Sequence, residues 1–162
     1  MSKLLTIIQE DKREPAKSTS ELGARGESLA IDFLKLEGYR IVITNFKVPV
    51  GRNSKGVQVT GEIDIIALDG DTLCFIEVKT RRSDDFTPII TNVDTRKQRQ
   101  ITRTAKVYRR IFAVRDTEYR FDVVTVLTQK HAKPEIELSQ GFWNERKFRK
   151  KAWEQPAWKE FW

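Results

Sequence analysis

Three charged side chains lie inside two short apolar segments, where a charge is rarely found without a partner. Asp64 stands in segment 61–67, and Glu77 and Lys79 stand in segment 73–80. A charge in a strand that packs on a core needs an opposite charge or a metal ion beside it. An aspartate followed on the next strand by Glu-x-Lys is the minimal equipment of metal-dependent phosphodiester hydrolysis. The pattern predicts that chemistry, and a surface salt bridge on a solvated sheet face is the alternative.

The two segments are predicted to form a β-hairpin that brings the carboxylates together. Both are rich in β-branched and aromatic residues, and Asp-Gly-Asp-Thr at 69–72 is a turn signal. A loop of two or four residues leaves Asp64 on the Glu77 side, and with four residues Leu68 pairs with Leu73. Two carboxylates ~4 Å apart repel by roughly 4 kcal/mol at an effective dielectric near 20. The register therefore predicts a compensating cation.

Carboxylate oxygens and water suit Mg²⁺ or Mn²⁺ better than zinc, which prefers nitrogen and sulfur ligands. We expect Asp64 and Glu77 to hold the metal, with the Val78 carbonyl as a further oxygen ligand. Lys79 would then position or activate the attacking water and stabilise the charge that develops on the phosphoryl oxygens.

A helix is predicted over residues 20–36, with Ser20 as its cap and Gly38 closing it. Its apolar residues share one face, and these are Leu22, Leu29, Phe33 and Leu36. Glu27 falls at the edge of that face, where it would either complete a three-carboxylate metal shell or remain an ordinary surface glutamate.

A second helix, over residues 93–112, is predicted to carry a basic face. Four apolar residues are spaced to form its buried stripe, namely Ile101, Ala105, Tyr108 and Phe112. Between residues 95 and 112 there are seven basic side chains and no acidic one. A phosphate backbone would relieve their mutual repulsion, whereas mixed charges are usual on a merely solvated face. The candidate nucleic-acid contacts are Arg96, Arg99, Arg103, Lys106 and Arg110, and a solubility face is the alternative.

The remaining elements are weaker predictions. Residues 39–46 and 120–127 are expected to be strands, and 134–138 a short last strand. Residues 48–60 contain proline and glycines, so they are expected to form an elongated loop or an irregular hairpin. Residues 81–92 read as a polar connection.

Length and composition are those of one compact domain. The chain has 162 residues, a net charge of +7 and a pI near 9.6, which suggests a polyanionic partner. We expect no membrane-spanning segment, no signal peptide and no internal disulfide, with Cys74 as a core residue. The expected location is the cytoplasm.

Six short motifs occur in order along the chain and carry a family resemblance. They are Gly-Glu-Ser-Leu-Ala at 26–30, Gly-Tyr-Arg-Ile at 38–41, Asn-Phe at 45–46, Gly-Glu-Ile-Asp-Ile-Ile-Ala at 61–67, Phe-Ile-Glu-Val-Lys-Thr-Arg at 75–81 and Arg-Phe-Asp-Val-Val at 120–124. Over roughly residues 21–142 the chain resembles the YraN-like family of largely uncharacterised bacterial proteins. That family is similar to the archaeal Holliday-junction resolvases within the PD-(D/E)XK nuclease superfamily.

The resemblance implies an α/β fold with a restriction-endonuclease-like core, a central mixed β-sheet flanked by helices. It implies that Asp64, Glu77 and Lys79 are catalytic, that Glu27 joins the metal ligands, and that Lys97 and Gln98 lie near the scissile phosphate. The implied activity is a Mg²⁺- or Mn²⁺-dependent endonuclease acting on DNA, with branched DNA as one substrate, in a protein that forms homodimers. A non-catalytic nucleic-acid-binding or adaptor protein on the same fold is the alternative.

Two regions depart from that family pattern. About ten residues are inserted around 48–59, where a basic loop would contact DNA or partly cover the site. The predicted organisation is an N-terminal extension at 1–20, a nuclease-like domain at 21–142 and a tryptophan-rich basic tail at 143–162. All four tryptophans lie in that tail, where they would either pack on protein or stack on unpaired bases. His131 is expected to have no catalytic role.

Overall fold

In the computed structural model of this chain, the described residues form one six-stranded sheet with an α-helix over each face. The structure describes residues 2–6, 18–82, 93–129 and 132–148, and of residues 2–6 only the backbone. The elements are β1 (Ser2–Thr6), α1 (Thr19–Leu36), β2 (Arg40–Arg52), β3 (Gln58–Asp69), β4 (Thr72–Arg82), α2 (Thr95–Ile111), β5 (Tyr119–Thr128), β6 (Glu135–Trp143) and a 3₁₀ turn at Glu145–Phe148.

The strand order across the sheet is β1-β6-β5-β4-β3-β2. β4 and β5 run parallel, joined through α2, and the other neighbouring strands are antiparallel. A parallel pair needs such a crossover connection, which places a helix over one face of the sheet. The predicted α/β fold with a mixed sheet and flanking helices is confirmed.

The α1 side of the sheet holds one core and the α2 side holds another, because successive strand residues point to opposite faces. Phe33 and Leu34 of α1 pack on alternate residues of β4 and β5, including Ile76 and Val124. On the other face, apolar residues of α2 pack on the strands together with Trp143. The α2 contributors are Ile101, Ala105 and Tyr108, and the strand contributors include Phe75 and Phe121.

The N-terminus of α1 differs from its prediction. Ser18 caps the helix and Ser20 lies inside it, because Ser18 and Glu21 form a reciprocal capping box. The Ser-x-x-Glu spacing that produces this box can be recognised in the sequence at residues 18–21. Gly38 closes the helix as predicted, in the left-handed conformation with φ of 89°.

One residue in each predicted helical stripe is wrongly placed. Leu36 is 73% exposed, and Leu34 is buried in its stead. At ~100° per residue, Leu36 lies about 90° from the centre of the buried arc that runs from Leu29 to Leu34. Phe112 is 53% exposed because α2 ends before it, although its ring still contacts that of Tyr108.

The segment at 48–60 is a hairpin and not an elongated loop. β2 continues past its predicted end at Phe46 to Arg52, and β3 begins at Gln58. The register between them shifts once at Ile41–Ile43 and again at Pro49–Gly51, so proline and glycine are accommodated as irregularities of the ladder.

Several predictions fall outside the described residues. These are residues 83–92 of the predicted polar connection, His131, and the three tryptophans that follow Trp143. The first two residues of that predicted connection, 81 and 82, instead belong to β4. Within the described ranges, no helix is both long and apolar enough to cross a membrane.

Candidate functional site

The hairpin of β3 and β4 has the predicted register at its closed end and opens into a fork at the carboxylates. Leu68 pairs with Leu73, and the ladder continues to the pair Ile65–Ile76, one position short of Asp64 and Glu77. Beyond that pair β3 stays paired with β2 as far as Gln58, whereas β4 stays paired with β5 as far as Arg82. We call this divergence the fork.

Where the backbone ladder between β3 and β4 stops, the Asp64 side chain makes the next hydrogen bond between the two strands. Its Oδ2 accepts a hydrogen bond of 2.8 Å from the Val78 backbone N–H. A carboxylate that replaces a strand carbonyl in this way ties the two strands together at the base of the fork. The bond also fixes Asp64 beside Glu77, as the predicted parity requires.

Glu77 is a buried acid held between two lysines. Its side chain is 3% exposed, Lys79 Nζ lies 2.9 Å from Oε1, and Lys97 Nζ lies 3.3 Å from Oε2. Lys79 comes from the same strand face, two residues along, and Lys97 comes from the first turn of α2. Although Lys97 contributes charge, Oε2 accepts no hydrogen bond from the part of the chain that the structure describes.

Asp64 is poorly accommodated as an anion. Its burial, together with the negative charge of Glu77, raises the pKa of the Asp64 carboxyl to about 7, and the charge of Glu27 acts in the same direction. The Val78 N–H and the charge of Lys97 oppose this rise in the pKa. An additional cation beside Asp64 would restore the charged form.

Glu27 reaches the neighbourhood of this pair because α1 lies close to β4. An added Cβ on Gly26 would lie 1.7 Å from Thr80 Oγ1, so only glycine permits this approach. Glu27 is therefore within electrostatic range of Asp64. Among the described residues, however, no three His, Cys, Asp or Glu side chains are gathered closely enough to hold a metal ion.

The donor set of the two central carboxylates suits a small divalent cation. Among the described residues, nothing donates a hydrogen bond to Oε2 of Glu77, and burial beside Glu77 disfavours the charged form of Asp64. Mg²⁺ commonly binds through one or two carboxylates and keeps several water ligands, so Asp64 and Glu77 suffice as protein ligands. Glu27 would join them only after a side-chain movement.

A close approach of α2 to β3 places the basic helix beside the fork. An added Cβ on Gly61 would lie 2.0 Å from Thr104 Oγ1, and Gln100 Nε2 donates to the Thr60 carbonyl at 3.0 Å. Lys97 thereby reaches Glu77. Only the family resemblance predicts that Lys97 lies near the site, and its contact with Glu77 depends on this docking of α2.

The predicted nucleic-acid contacts on α2 fall into three groups. The side chains of Arg96, Arg103 and Arg110 are exposed at seven-residue spacing along one side of the helix. Arg99 and Lys106 are exposed too, but Arg99 lies over the Phe148 ring at 5.6 Å and Lys106 pairs with Glu145 at 2.8 Å. Gln98 is buried with its amide bonded to the Val93 carbonyl and to Lys147, which places it away from the surface.

Trp143 belongs to the core. Its ring stacks on Phe121 with centroids 4.9 Å apart, and its indole N–H donates to Thr102 Oγ1. For this tryptophan, packing on protein is therefore the correct one of the two predicted roles.

The motif at 120–124 forms a separate polar cluster towards the hairpin turn. Arg120 donates to both oxygens of the fully buried Asp122 and to Asp69, and the Tyr39 hydroxyl accepts from both Arg120 and Gln140. Burial raises the pKa of Asp122, and the Gly141 N–H and the Arg120 guanidinium oppose that rise. The cluster joins β3, β5 and β6 and contributes no group to the fork.

Comparison with known proteins finds one matching family. The family model described as "Uncharacterised protein family UPF0102" matches residues 26–126. Curated relatives called UPF0102 protein are similar in sequence. The one from Geotalea uraniireducens is 40% identical over 78% of this chain and 91% of its own, and the one from Chlorobium chlorochromatii is 42% identical over 77% and 87%. The relative from Koribacter versatilis is 40% identical over 84% and 87%.

Among solved structures, the crystal structure of SSO0001 aligns over 74% of this chain and 50% of its own. The TM-score is 0.34 and the identity 20%, a similarity too low to support any conclusion about fold or function.

Proposed function

The chain belongs to the family UPF0102, the YraN family, and from that premise we propose that it is a divalent-metal-dependent endonuclease acting on DNA, including branched DNA. The observation that carries the proposal is the buried Glu77. It lies next to Asp64 at the base of an open fork, contacts two lysines, and has one oxygen that accepts no hydrogen bond from any described residue.

Asp64 and Glu77 are the residues that would hold Mg²⁺ or Mn²⁺. The bound ion would supply Lewis acidity toward a phosphodiester and lower the pKa of a water molecule. The chain's own part is electrostatic. Lys79 Nζ, 2.9 Å from Glu77, stands where it can stabilise charge on phosphoryl oxygens, and Lys97 places a second ammonium group on the other side of the same carboxylate.

The surroundings of the fork favour a polyanionic substrate. α2 begins beside Glu77, so its N-terminal N–H groups and the side chains of Arg96 and Lys97 add positive potential there. The exposed row of Arg96, Arg103 and Arg110 extends this potential along the helix. DNA that binds with its phosphates against these arginines would release the counterions of those phosphates. DNA affinity should therefore fall steeply as the salt concentration rises.

The alternative is a nucleic-acid-binding or adaptor protein without turnover. Two features favour it: Lys79 and Lys97 already neutralise the charge of Glu77, and Glu27 does not lie close enough to Asp64 and Glu77 to share a metal ion with them. The resemblance to resolvases also leads us to propose a homodimer, which sedimentation would test directly.

Cleavage of labelled linear, single-stranded and four-way-junction DNA with Mg²⁺, Mn²⁺ or EDTA tests the proposal. Wild type is compared with Asp64→Ala and Lys79→Ala, and Asp71→Ala and Lys35→Ala serve as exposed controls of matching charge. We expect metal-dependent cleavage that both site variants lose and both controls retain. Salt-sensitive binding without cleavage under any metal would favour the binding protein instead.

A further inference from the structure

The ribbon formed by β2 and β3 beyond the fork, residues 48–59 with the tip at 52–57, has a charge pattern that the proposed active site does not use. No acidic residue occurs between Arg40 and Gly61. Lys47 is neutralised by Glu62 at 3.2 Å, near the base. The positive charge therefore concentrates at the tip, on Arg52 and Lys55, whose side chains are exposed.

The tip is an ordered turn. The Asn53 side chain accepts from the backbone N–H groups of Lys55 and Val57, at 3.0 and 2.9 Å, and two backbone hydrogen bonds close the same turn. Arg52 Nη1 donates to the Gly56 carbonyl at 2.7 Å. Since a carbonyl is neutral, this bond orients the guanidinium without cancelling its charge.

The base of the ribbon is fixed to the basic helix. Gly61 lies against Thr104 and Val50, and Gln100 bonds to Thr60, so the ribbon leaves the body of the protein in a set direction. Val57 at the tip is 59% exposed, an apolar side chain two residues after Lys55. The major groove of DNA offers such a tip phosphates at its edges and thymine methyl groups among the polar base edges at its floor.

We propose that this ribbon enters the major groove of a DNA duplex that occupies the fork. The major groove, about 12 Å wide, admits a two-stranded β-ribbon. From Asp64 to Val57 is seven residues of strand, or about 23 Å at ~3.3 Å per residue. Along a duplex axis, at ~3.4 Å per base pair, this length spans at most about seven base pairs. The inference rests on the proposed function and specifies its substrate: the DNA is double-stranded on the ribbon side of the attacked phosphate, over a stretch of up to about seven base pairs.

Binding to fluorescent duplex and single-stranded DNA, measured by anisotropy over a range of salt concentrations in EDTA, tests the ribbon. The variants are Lys55→Ala and Arg52→Gln, and the glutamine removes the charge of Arg52 while keeping a polar side chain. Lys35→Ala, an exposed lysine on α1, removes the same charge elsewhere. Urea midpoints equal to that of wild type exclude misfolding.

We expect each ribbon variant to bind duplex about three- to tenfold more weakly near 0.1 M salt, with a salt slope smaller by about one. Single-strand affinity should change less than twofold. Duplex carrying bulky glucosyl groups in the major groove should bind wild type as weakly as plain duplex binds Lys55→Ala.

The inference is overturned if both ribbon variants match Lys35→Ala on duplex, or if they lose single-strand affinity equally. It is also overturned if they lose binding to anionic lipid vesicles while duplex affinity is unchanged. Wild type that binds duplex through the ribbon but never cleaves would refute only the proposed nuclease. Cleavage with unaffected ribbon variants would refute only the ribbon, and no duplex binding at all would refute both.

Discussion

Replacing Asp64 by asparagine should stabilise the metal-free protein at neutral pH, because it removes a carboxylate that the fold holds at a cost. The asparagine Oδ1 can still accept the Val78 N–H that Asp64 accepts at 2.8 Å. What disappears is the negative charge, whose burial beside Glu77 raises the pKa of Asp64 from 3.8 to about 7. The variant therefore isolates the electrostatic cost of the site from its hydrogen bonding.

The sign and pH range of the effect follow from proton linkage. Between pH 4 and 7 the folded wild type keeps the Asp64 proton and the unfolded chain has lost it, so the free energy of unfolding falls as the pH rises. A pKa displaced from 3.8 to about 7 corresponds to roughly 4 kcal/mol, at 1.36 kcal/mol per pH unit. Because the carboxyl is half-buried and keeps some hydration, we expect Asp64→Asn to be more stable than wild type by about 2–4 kcal/mol at pH 8 and by almost nothing at pH 4.

Urea unfolding at several pH values in EDTA measures this difference, with Asp71→Asn in the exposed hairpin turn as the control. A stability difference between Asp64→Asn and wild type that is constant from pH 4 to 8 would refute the electrostatic account of the site. Adding Mg²⁺ or Mn²⁺ at pH 8 should raise the urea midpoint of wild type and leave that of Asp64→Asn unchanged, since only a bound ion stabilises by mass action.

Two other substitutions test how the site is supported. Gly26→Ala should destabilise the protein by about 1–3 kcal/mol, because the added methyl group meets Thr80. In a Thr80→Gly background the same change should stabilise it by up to about 1 kcal/mol, because alanine has the higher helix propensity. Equal effects in both backgrounds, measured by urea unfolding, would contradict the close approach. Asp122→Ala should cost about 1–3 kcal/mol, because Arg120 and the Gly141 N–H lose a buried acceptor while Arg120 stays paired with Asp69. A thermal midpoint within 2 °C of wild type, at an expected shift of roughly 2–4 °C per kcal/mol for a chain of this size, would show that the cluster is not structural.

The local parts of the fold and site could be predicted from the sequence. Leu68 pairs with Leu73 as expected, because a short polar turn and alternating side chains determine a hairpin register without help from the rest of the chain. Glu77 and Lys79 share a face for the same reason. The buried positions of Ile101 and Ala105 followed from helical periodicity alone.

The rest depends on contacts between distant segments. Pro49 and Gly51 are typical of a loop, and only pairing with β3 and support from α2 make their segment a strand. The contact of Lys97 with Glu77 exists because glycine at position 61 lets α2 dock closely. The fork is equally non-local, because its second arm depends on the pairing of β4 with β5.

The position of β4 in the sheet has a consequence for how the chain is made. β4 lies between β3, which precedes it in the chain, and β5, which is synthesised after α2. The first residue pair between β4 and β5 is Leu73 with Tyr119. Until residue 128 has left the ribosome, the apolar strand β4 has one edge whose backbone groups lack part or all of their native partner, β5. An unpaired apolar edge is a template for pairing with other chains. We therefore expect truncations that end before β5 to aggregate, because the pairing at the centre of the sheet forms only once β5 has been synthesised.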